Sequence, residues 1–358
     1  MCKIDWYIIK KFLGTFFYSI TLILLIVIVF DISEKIDDFI EKEAPLNAII
    51  FEYYLNFIPY FGNLFSPLFT FIAVIFFTSK MANNTEIISI LSSGVSFQRI
   101  LLPFIISSTI IGCLSFTLGN FIIPPANEVR LEFENTYIKN PYRNRDKNIH
   151  IQISPGNFVY MESYNSTKNI GYKFSMEKFI QGELKQKLFS NYIEWDSTKG
   201  KWNIHHYFIR TFNDMQETIV EGRQLDTLIN LHPNDFNTRL STVETMNFFE
   251  LNNYIAQERM KGSKNLVFHL IEKHKRIAYP FATIILTLIA VAFASKKVRG
   301  GIGLHLGLGL LISFSYILFM QVSTTFATNG DLPPLIAVWI PNLIYVGLAA
   351  YLLKKAPK

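Results

Sequence analysis

The sequence predicts a polytopic α-helical membrane protein with six transmembrane helices, three before and three after an inserted all-β domain. Half of the 358 residues are hydrophobic, and charged residues make up only 17%, against about 25% in soluble domains. Six uncharged stretches are long enough to cross a hydrocarbon core, which needs about 20 apolar residues. A buried helix of a soluble protein could mimic one such stretch, but not six. This composition also argues against a disordered chain, a disulfide-rich secreted scaffold and most soluble enzymes.

The predicted spans cover residues 12–30, 53–79, 100–127, 277–295, 300–329 and 332–353. The first of them lacks a small-residue cleavage site and is followed by acidic residues, so we expect it to remain as a helix and not to be removed as a signal peptide.

The distribution of Lys and Arg predicts that both termini are cytoplasmic. With the N-terminus inside, the inner segments carry eleven basic residues against only Asp5 and Glu86. The first outer loop, predicted at residues 31–52, carries seven acidic residues against Lys35 and Lys42. The net charge of +6 therefore reflects membrane topology, and we expect no nucleic-acid partner.

The polar insert begins at residue 128 and has the pattern of β-structure. Residues 149–153 alternate between apolar and polar side chains, and residues 157–163 and 202–210 also look like strands. A turn at 196–200 would join the segments that contain Trp195 and Trp202. The pattern favours an antiparallel sandwich or open barrel outside the membrane, followed by a helix at 246–262 that returns to the bilayer.

The chemistry of common membrane enzymes and carriers is missing from the sequence. It contains no phosphate-binding loop of the Gly-x-x-x-x-Gly-Lys type and no His-Glu-x-x-His motif. The predicted spans carry no Asp, Glu, Lys or Arg, which argues against a proton-coupled carrier. A basic cluster at residues 261–276 has two explanations, namely contacts with lipid headgroups or a site for the phosphates of an anionic amphiphile.

The inner segment at residues 81–96 predicts a short helix. Asn83 and Glu86 have the spacing of a capping box, and Gly94 would end the helix. The helix would present Ile87, Ile90 and Leu91 on one face. Such a helix can dock into a groove on a soluble partner, or it can be an ordinary turn on the membrane surface.

This segment also resembles the coupling helix of the LptF/LptG lipopolysaccharide export permeases. The resemblance rests on Asn-Thr-Glu-Ile-Ile from residue 84 and Ser-Ser-Gly-Val-Ser from residue 92. Further similar motifs follow in order along nearly the whole chain, at residues 123–127, 250–262, 272–280 and 330–342.

The resemblance implies a permease subunit of an ABC transporter, without enzymatic activity of its own, in the bacterial inner membrane. Residues 1–127 would hold three spans with a coupling helix at about 83–94. Residues 128–262 would form a periplasmic β-jellyroll-like domain and return helix, and residues 263–358 three more spans. The complex would extract lipopolysaccharide from the inner membrane and pass it to a periplasmic bridge. Implied partners are a second LptF/LptG-like permease subunit, an LptC-like bridge protein and an LptB-like cytoplasmic ATPase dimer. The ATPase would bind ATP and Mg, so that no cofactor is expected in this chain.

The resemblance also implies site residues. The coupling helix would use Asn84, Thr85, Glu86, Ile87, Ile90, Leu91 and Gly94, with Glu86 meeting a basic residue of the ATPase groove. Lys35 matches a basic position that contacts lipid A phosphates, although an exposed lysine in an acidic loop is the alternative. Lys273, Lys275 and Arg276 are further candidates for lipopolysaccharide binding. Gly303 and Gly307 have small-xxx-small spacing, which suits helix packing or a lateral gate.

Two other functions stay open at this stage. The chain could be the permease of another lipid or lipoprotein ABC exporter, or an envelope scaffold that transports nothing. A scaffold needs no partner ATPase, so an ATPase gene next to the gene for this chain would discriminate between them. The sequence leaves open whether the chain is LptF-like or LptG-like.

Overall fold

The computed structural model describes residues 3–139, 146–213, 216–236, 240–296 and 301–356. Within these ranges, six helical stretches are long and apolar enough to cross a membrane, three on each side of an antiparallel sheet. The predicted fold class is therefore confirmed.

Two compact units make up the chain. We call the first the helical unit, formed by Met1–Lys139, Glu244–Phe248 and Leu270–Lys358. The second, which we call the β-unit, consists of Asn140–Val243 and Phe249–His269.

The first spanning stretch is one unbroken α-helix, whereas the second and third each contain a π-helical turn that does not break the helical path. In chain order the elements are α1 (Lys3–Glu41), α2 (Leu46–Ala48), a π-helical turn (Ile49–Tyr54), α3 (Leu55–Asn83), α4 (Glu86–Ser92), α5 (Phe97–Thr117), a second π-helical turn (Leu118–Ile122) and α6 (Ile123–Tyr137). Pro124 and Pro125 occupy the first turn of α6, and neither has a backbone N–H to donate to the preceding turn.

The first helical elements after the sheet are short, and the last three helices are long enough to span a membrane. They are α7 (Pro233–Phe236), a 3₁₀ turn (Leu240–Thr245), α8 (Phe248–Lys261), α9 (Leu266–Ala294), α10 (Gly301–Thr328) and α11 (Pro334–Lys354). The predicted helix at 246–262 corresponds to α8, whose Leu251 and Ile255 are buried. Gly262 follows the helix at φ +70°, the left-handed conformation that ends many helices.

Helix α1 is much longer than its apolar stretch, so the predicted outer loop at residues 31–52 is wrong in extent. The helix continues to Glu41, and only residues 42–45 separate it from α2. At 1.5 Å per residue its 39 residues cover about 58 Å, well beyond the ~30 Å hydrocarbon core. Charged residues end an apolar window without ending a helix, because the backbone hydrogen bonds continue through them.

The β-unit contains one six-stranded antiparallel sheet in the described residues. Its strands are β1 (Lys147–Ser154), β2 (Asn157–Asn165), β3 (Ile170–Ile180), β4 (Glu183–Asp196), β5 (Lys201–Asn213) and β6 (Gln216–Thr227). They lie side by side in sequence order, which is a meander and lacks the Greek-key crossovers of a complete jellyroll. The predicted turn at 196–200 joins β4 to β5 and places Trp195 opposite Trp202.

One face of the sheet carries the core of the β-unit. Trp202, Met161 and Phe174 are fully buried there, together with Ile193 and Ile204. The indole Nε1 of Trp202 donates a hydrogen bond of 2.7 Å to the carbonyl oxygen of Leu231. This contact ties the segment after β6 to the centre of the core, since a buried indole N–H needs a partner.

Candidate functional sites

Helix α4 (Glu86–Ser92) lies within the segment predicted as a coupling helix, about residues 83–94, but it is shorter and starts differently. Asn83 is the last residue of α3, and Thr85, at φ +61°, takes the N-cap position without a side-chain cap. The predicted capping box is therefore wrong. Glu86 is the first residue of α4, where the positive end of the helix dipole stabilises a carboxylate. Gly94 lies just beyond the helix at φ +87°, as expected for a terminating glycine.

The apolar face predicted for α4 is partly used within the chain itself. Ile87 is only 3% exposed, and Ile90 and Leu91 are half-buried. Ile88, which the sequence analysis did not single out, is 50% exposed. Ile87 therefore anchors α4 to its own protein, and Ile88 is the large apolar side chain of α4 that stays exposed.

The start of α1 holds the region around α4 through two polar contacts. Both terminal nitrogens of the Arg99 guanidinium donate to the carboxylate of Asp5, with Nη1 at 2.8 Å from Oδ1 and Nη2 at 2.7 Å from Oδ2. The hydroxyl of Tyr7 donates to Oε2 of Glu86 at 3.3 Å. The other oxygen of Glu86 accepts from the amide of Asn84 at 3.1 Å. No local sequence signal pairs residues 94 or 79 positions apart, so the sequence analysis missed these contacts.

Lys35 lies on α1 and is not an exposed loop lysine. Its ammonium group is 2.6 Å from Oδ1 of Asp31 and also bonds the hydroxyl of Tyr53. Oδ2 of Asp31 in turn accepts a hydrogen bond of 3.1 Å from Tyr54. The side chain of Lys35 is 20% exposed. A phosphate would therefore meet a lysine that already has a carboxylate and a phenol as partners.

The predicted basic group on α9 is divided between different surroundings. Arg276 is 7% exposed at its side chain, with Nε 3.2 Å from Glu272 and Nη1 2.7 Å from the carbonyl oxygen of Met246. Lys275 and Arg276 line one cavity of about 260 Å³, whereas Lys273 is not among its lining residues. Residues two apart on a helix point about 200° apart, which explains the separation of Lys273 from Lys275.

This cavity also contains carboxylates that the sequence analysis did not place there. Glu244 and Glu272 both line it. Burial, and then the charge of Glu272, raise the pKa of Glu244 above its ordinary value, against the opposing effects of Arg130 and Arg276. The site therefore has mixed charge and is not a purely basic pocket.

Gly303 and Gly307 are not packing positions within this chain. A Cβ atom built on either glycine meets no other atom within 4 Å. The close approach lies at Gly309, where a Cβ would overlap Cδ1 of Ile75 on α3. The spacing rule identified the correct helix but the wrong residues, because it does not say which face of α10 meets α3.

We expect Gly309→Leu to destabilise the purified chain relative to Gly303→Leu. Overpacking a close helix contact costs about 1–3 kcal/mol, whereas a side chain in open space changes stability by about 0.5 kcal/mol or less. Thermal unfolding in one detergent measures the difference, and both variants gain the same helix propensity over glycine. Equal unfolding midpoints for the two variants would contradict the placement of α10 against α3.

The described residues contain no group of three or more His, Cys, Asp or Glu side chains that could hold a metal ion. The candidate features in this part of the chain are the short helix α4, the ion pair at the start of α1, and the predicted basic groups, some of which already have an ion-pair partner.

Comparison with protein families agrees with this architecture. The family model described as "Lipopolysaccharide export system permease LptF/LptG" matches residues 6–355, nearly the entire chain. The chain belongs to the LptF/LptG family. Its members are transporter subunits and not enzymes, and the six spans and the inserted β-sheet fit that family. Comparison with individual curated proteins finds no match.

Proposed function

We propose that this LptF/LptG-family chain is the permease subunit of an ABC transporter that extracts lipopolysaccharide from the inner membrane and passes it to a periplasmic bridge. The single observation that carries this proposal is the family match over residues 6–355. A second LptF/LptG-like permease subunit, an LptC-like bridge protein and an LptB-like ATPase dimer with ATP and Mg would complete the machine.

The ATPase would dock on α4. Ile88 is half-exposed there, and the serine residues that follow on α4 leave room for close approach. Glu86 can accept a bond from a basic residue of the ATPase even though Asn84 and Tyr7 already donate to it, since a carboxylate offers about four acceptor positions. The basic residues of the segments on the α4 side support a cytoplasmic location for α4, with the β-unit in the periplasm.

Lipopolysaccharide phosphates would meet basic groups near the outer ends of the spans. Of the four basic residues predicted for this role, Lys273 and Lys275 have no ion-pair partner in the described part of the chain, whereas Lys35 and Arg276 are paired. We therefore favour Lys275, which lines the cavity, as the first phosphate contact to test. Gly303 and Gly307, which face open space in this chain, are available to a second permease subunit or to a lateral gate.

The test of this function is capture of the ATPase. The chain would be co-expressed with the LptB-like ATPase and the companion permease of its host and purified through a tag on this chain. We expect wild type to retain the ATPase and Glu86→Arg to retain at least about tenfold less, because a like charge at a polar interface costs more than about 1.4 kcal/mol. Glu183→Arg, at an acid exposed in the β-unit, is the matched control and should behave as wild type.

Two results would contradict the proposal. If wild type retains no ATPase in the presence of the companion permease, the exporter function fails and an envelope scaffold becomes the better account. If the ATPase is retained but purified membranes release a different lipid and no lipopolysaccharide, the chain serves another exporter.

A further inference from the structure

The start of α1 is bound to the start of α5, the helix that follows α4. Asp5 is only 4% exposed, and Arg99 holds both of its carboxylate oxygens at 2.7–2.8 Å. A two-pronged Arg–carboxylate contact fixes orientation as well as distance. Arg99 belongs to the first turn of α5, which follows α4 after a short connection.

The connection between α4 and α5 is short and well defined. It consists of residues 93–96 and contains Gly94 in a left-handed conformation. The hydroxyl of Ser96 caps α5 by accepting from the backbone N–H of Arg99 at 3.3 Å. A displacement of α4 therefore acts directly on the turn that carries Arg99.

A second contact joins α1 to α4 directly. Tyr7, two residues after Asp5 on α1, donates a hydrogen bond to Glu86, the first residue of α4. The start of α1 is thus joined to the starts of both α4 and α5.

The middle of α1 has little cover within this chain. Its buried residues are Asp5, Ile8, Ile9, Phe12, Phe16 and Ile20, after which none is buried until Phe39. In the most apolar part of α1, only 17% of the residues are buried. The helix is therefore held firmly near the α4 side and is largely uncovered through its middle.

We propose that the Asp5–Arg99 ion pair, supported by the Tyr7–Glu86 hydrogen bond, transmits displacement of α4 to α1. This inference rests on the proposed function, in which ATP-driven movement of α4 drives lipid movement. Asp5 and Arg99 act here as positioning residues that set how far α1 follows α4. Burying a carboxylate is costly without such a partner, and the pair fixes which part of α1 meets α5.

The first test separates ATP hydrolysis from lipid release in the assembled complex. We expect Asp5→Arg and Arg99→Asp each to keep the ATPase bound and hydrolysing while lipid released per ATP falls about tenfold, which corresponds to about 1.4 kcal/mol of coupling free energy. The double exchange Asp5→Arg with Arg99→Asp should restore the ratio to within about threefold. Arg210→Asp, which breaks an Arg–Glu pair in the β-unit, is the control and should leave the ratio unchanged.

The second test does not depend on the cargo. In a cysteine-free background, one spin label is placed at Ser92 on α4 and one at the exposed Tyr18 on α1. Pulsed electron paramagnetic resonance then measures the distance between the two labels. We expect one narrow distance distribution in the otherwise unchanged chain and a broad one in Asp5→Asn and in Tyr7→Phe, both of which preserve side-chain size.

The outcomes distinguish the two proposals. If wild type binds no ATPase, the proposed function fails, and the label distances still decide whether the link exists. If the complex works but the single variants keep the wild-type ratio of lipid to ATP, or if Asp5→Asn leaves the distances narrow, the link is overturned. If the double exchange gives a well-folded complex but does not restore the ratio of lipid to ATP, the link is likewise overturned.

Discussion

Trp202→Ala is expected to lower the stability of the β-unit by about 3–5 kcal/mol, the usual cost of removing a large, fully buried aromatic side chain. Trp202 is 0% exposed and lies at the centre of the sheet core. Its loss also leaves the carbonyl oxygen of Leu231 without the indole donor, which adds the penalty of an unsatisfied buried acceptor.

Hydrogen exchange of the full-length chain measures this effect. A loss of 3–5 kcal/mol should accelerate exchange of the β5 amides by about two to four orders of magnitude if they exchange through opening of the β-unit. Tyr172→Ala is the control, since Tyr172 lies on β3 of the same sheet and is 40% exposed. Similar exchange in the two variants would show that Trp202 is not the centre of this core.

Arg130→Met is expected to destabilise the helical unit by about 3 kcal/mol, the lower end of the cost of removing one partner from a buried ion pair. The side chains of Arg130 and Glu134 are each 8% exposed, with Nη1 and Oε1 3.2 Å apart. The guanidinium carbon also lies 4.7 Å from the centre of the Tyr60 ring. Lys139 still contacts Glu134 in the variant, which limits the loss.

The same substitution should change how stability depends on pH. The pKa of Glu244 is already raised by burial, and Arg130 is one of the charges that oppose this rise. A carboxyl with a raised pKa in the folded state keeps its proton longer than in the unfolded state, so stability declines as pH rises from the ordinary value towards the folded pKa. Removing Arg130 raises the folded pKa further and deepens this decline.

Thermal unfolding between pH 4 and pH 8 tests both expectations. The variant should lose more stability than wild type as pH rises, and adding Glu244→Gln should remove the difference in slope. Replacing Arg130 and Glu134 together with Met and Leu should recover most of the stability, because an apolar pair of similar volume avoids the desolvation cost. A single variant as stable as wild type at every pH would contradict the buried pair.

Sequence periodicity predicted the elements whose signals are local. Residues 149–153 alternate with period two, and residues 157–163 and 202–210 also look like strands. Each of the three segments lies within an observed strand. The strands β3, β4 and β6 were not predicted individually, since their solvent-exposed faces carry mixed side chains. In β6 nearly all residues are exposed at the edge of the sheet, so that burial gives no clear alternation there.

The predicted site residues divide in the same way. Glu86 and Gly94 mark the beginning of α4 and the turn beyond it, because both act through local backbone geometry. The burial of Ile87, the exposure of Ile88 and the partners of Lys35 depend on which helix faces lie against one another. A hydrophobic pattern shows that a helix has an apolar face, and does not show whether its own chain or a partner covers it.

By itself the sequence determined that this chain crosses a membrane six times, with an all-β insertion after the third span. Apolar length and alternation decide these features, and both are properties of contiguous residues. Only the tertiary structure decided that Asp5 binds Arg99, that Tyr7 binds Glu86, and that Gly309 and not Gly303 meets a neighbouring helix. These contacts depend on the rotation and axial position of helices that are far apart in sequence, and side-chain packing across their whole length sets both.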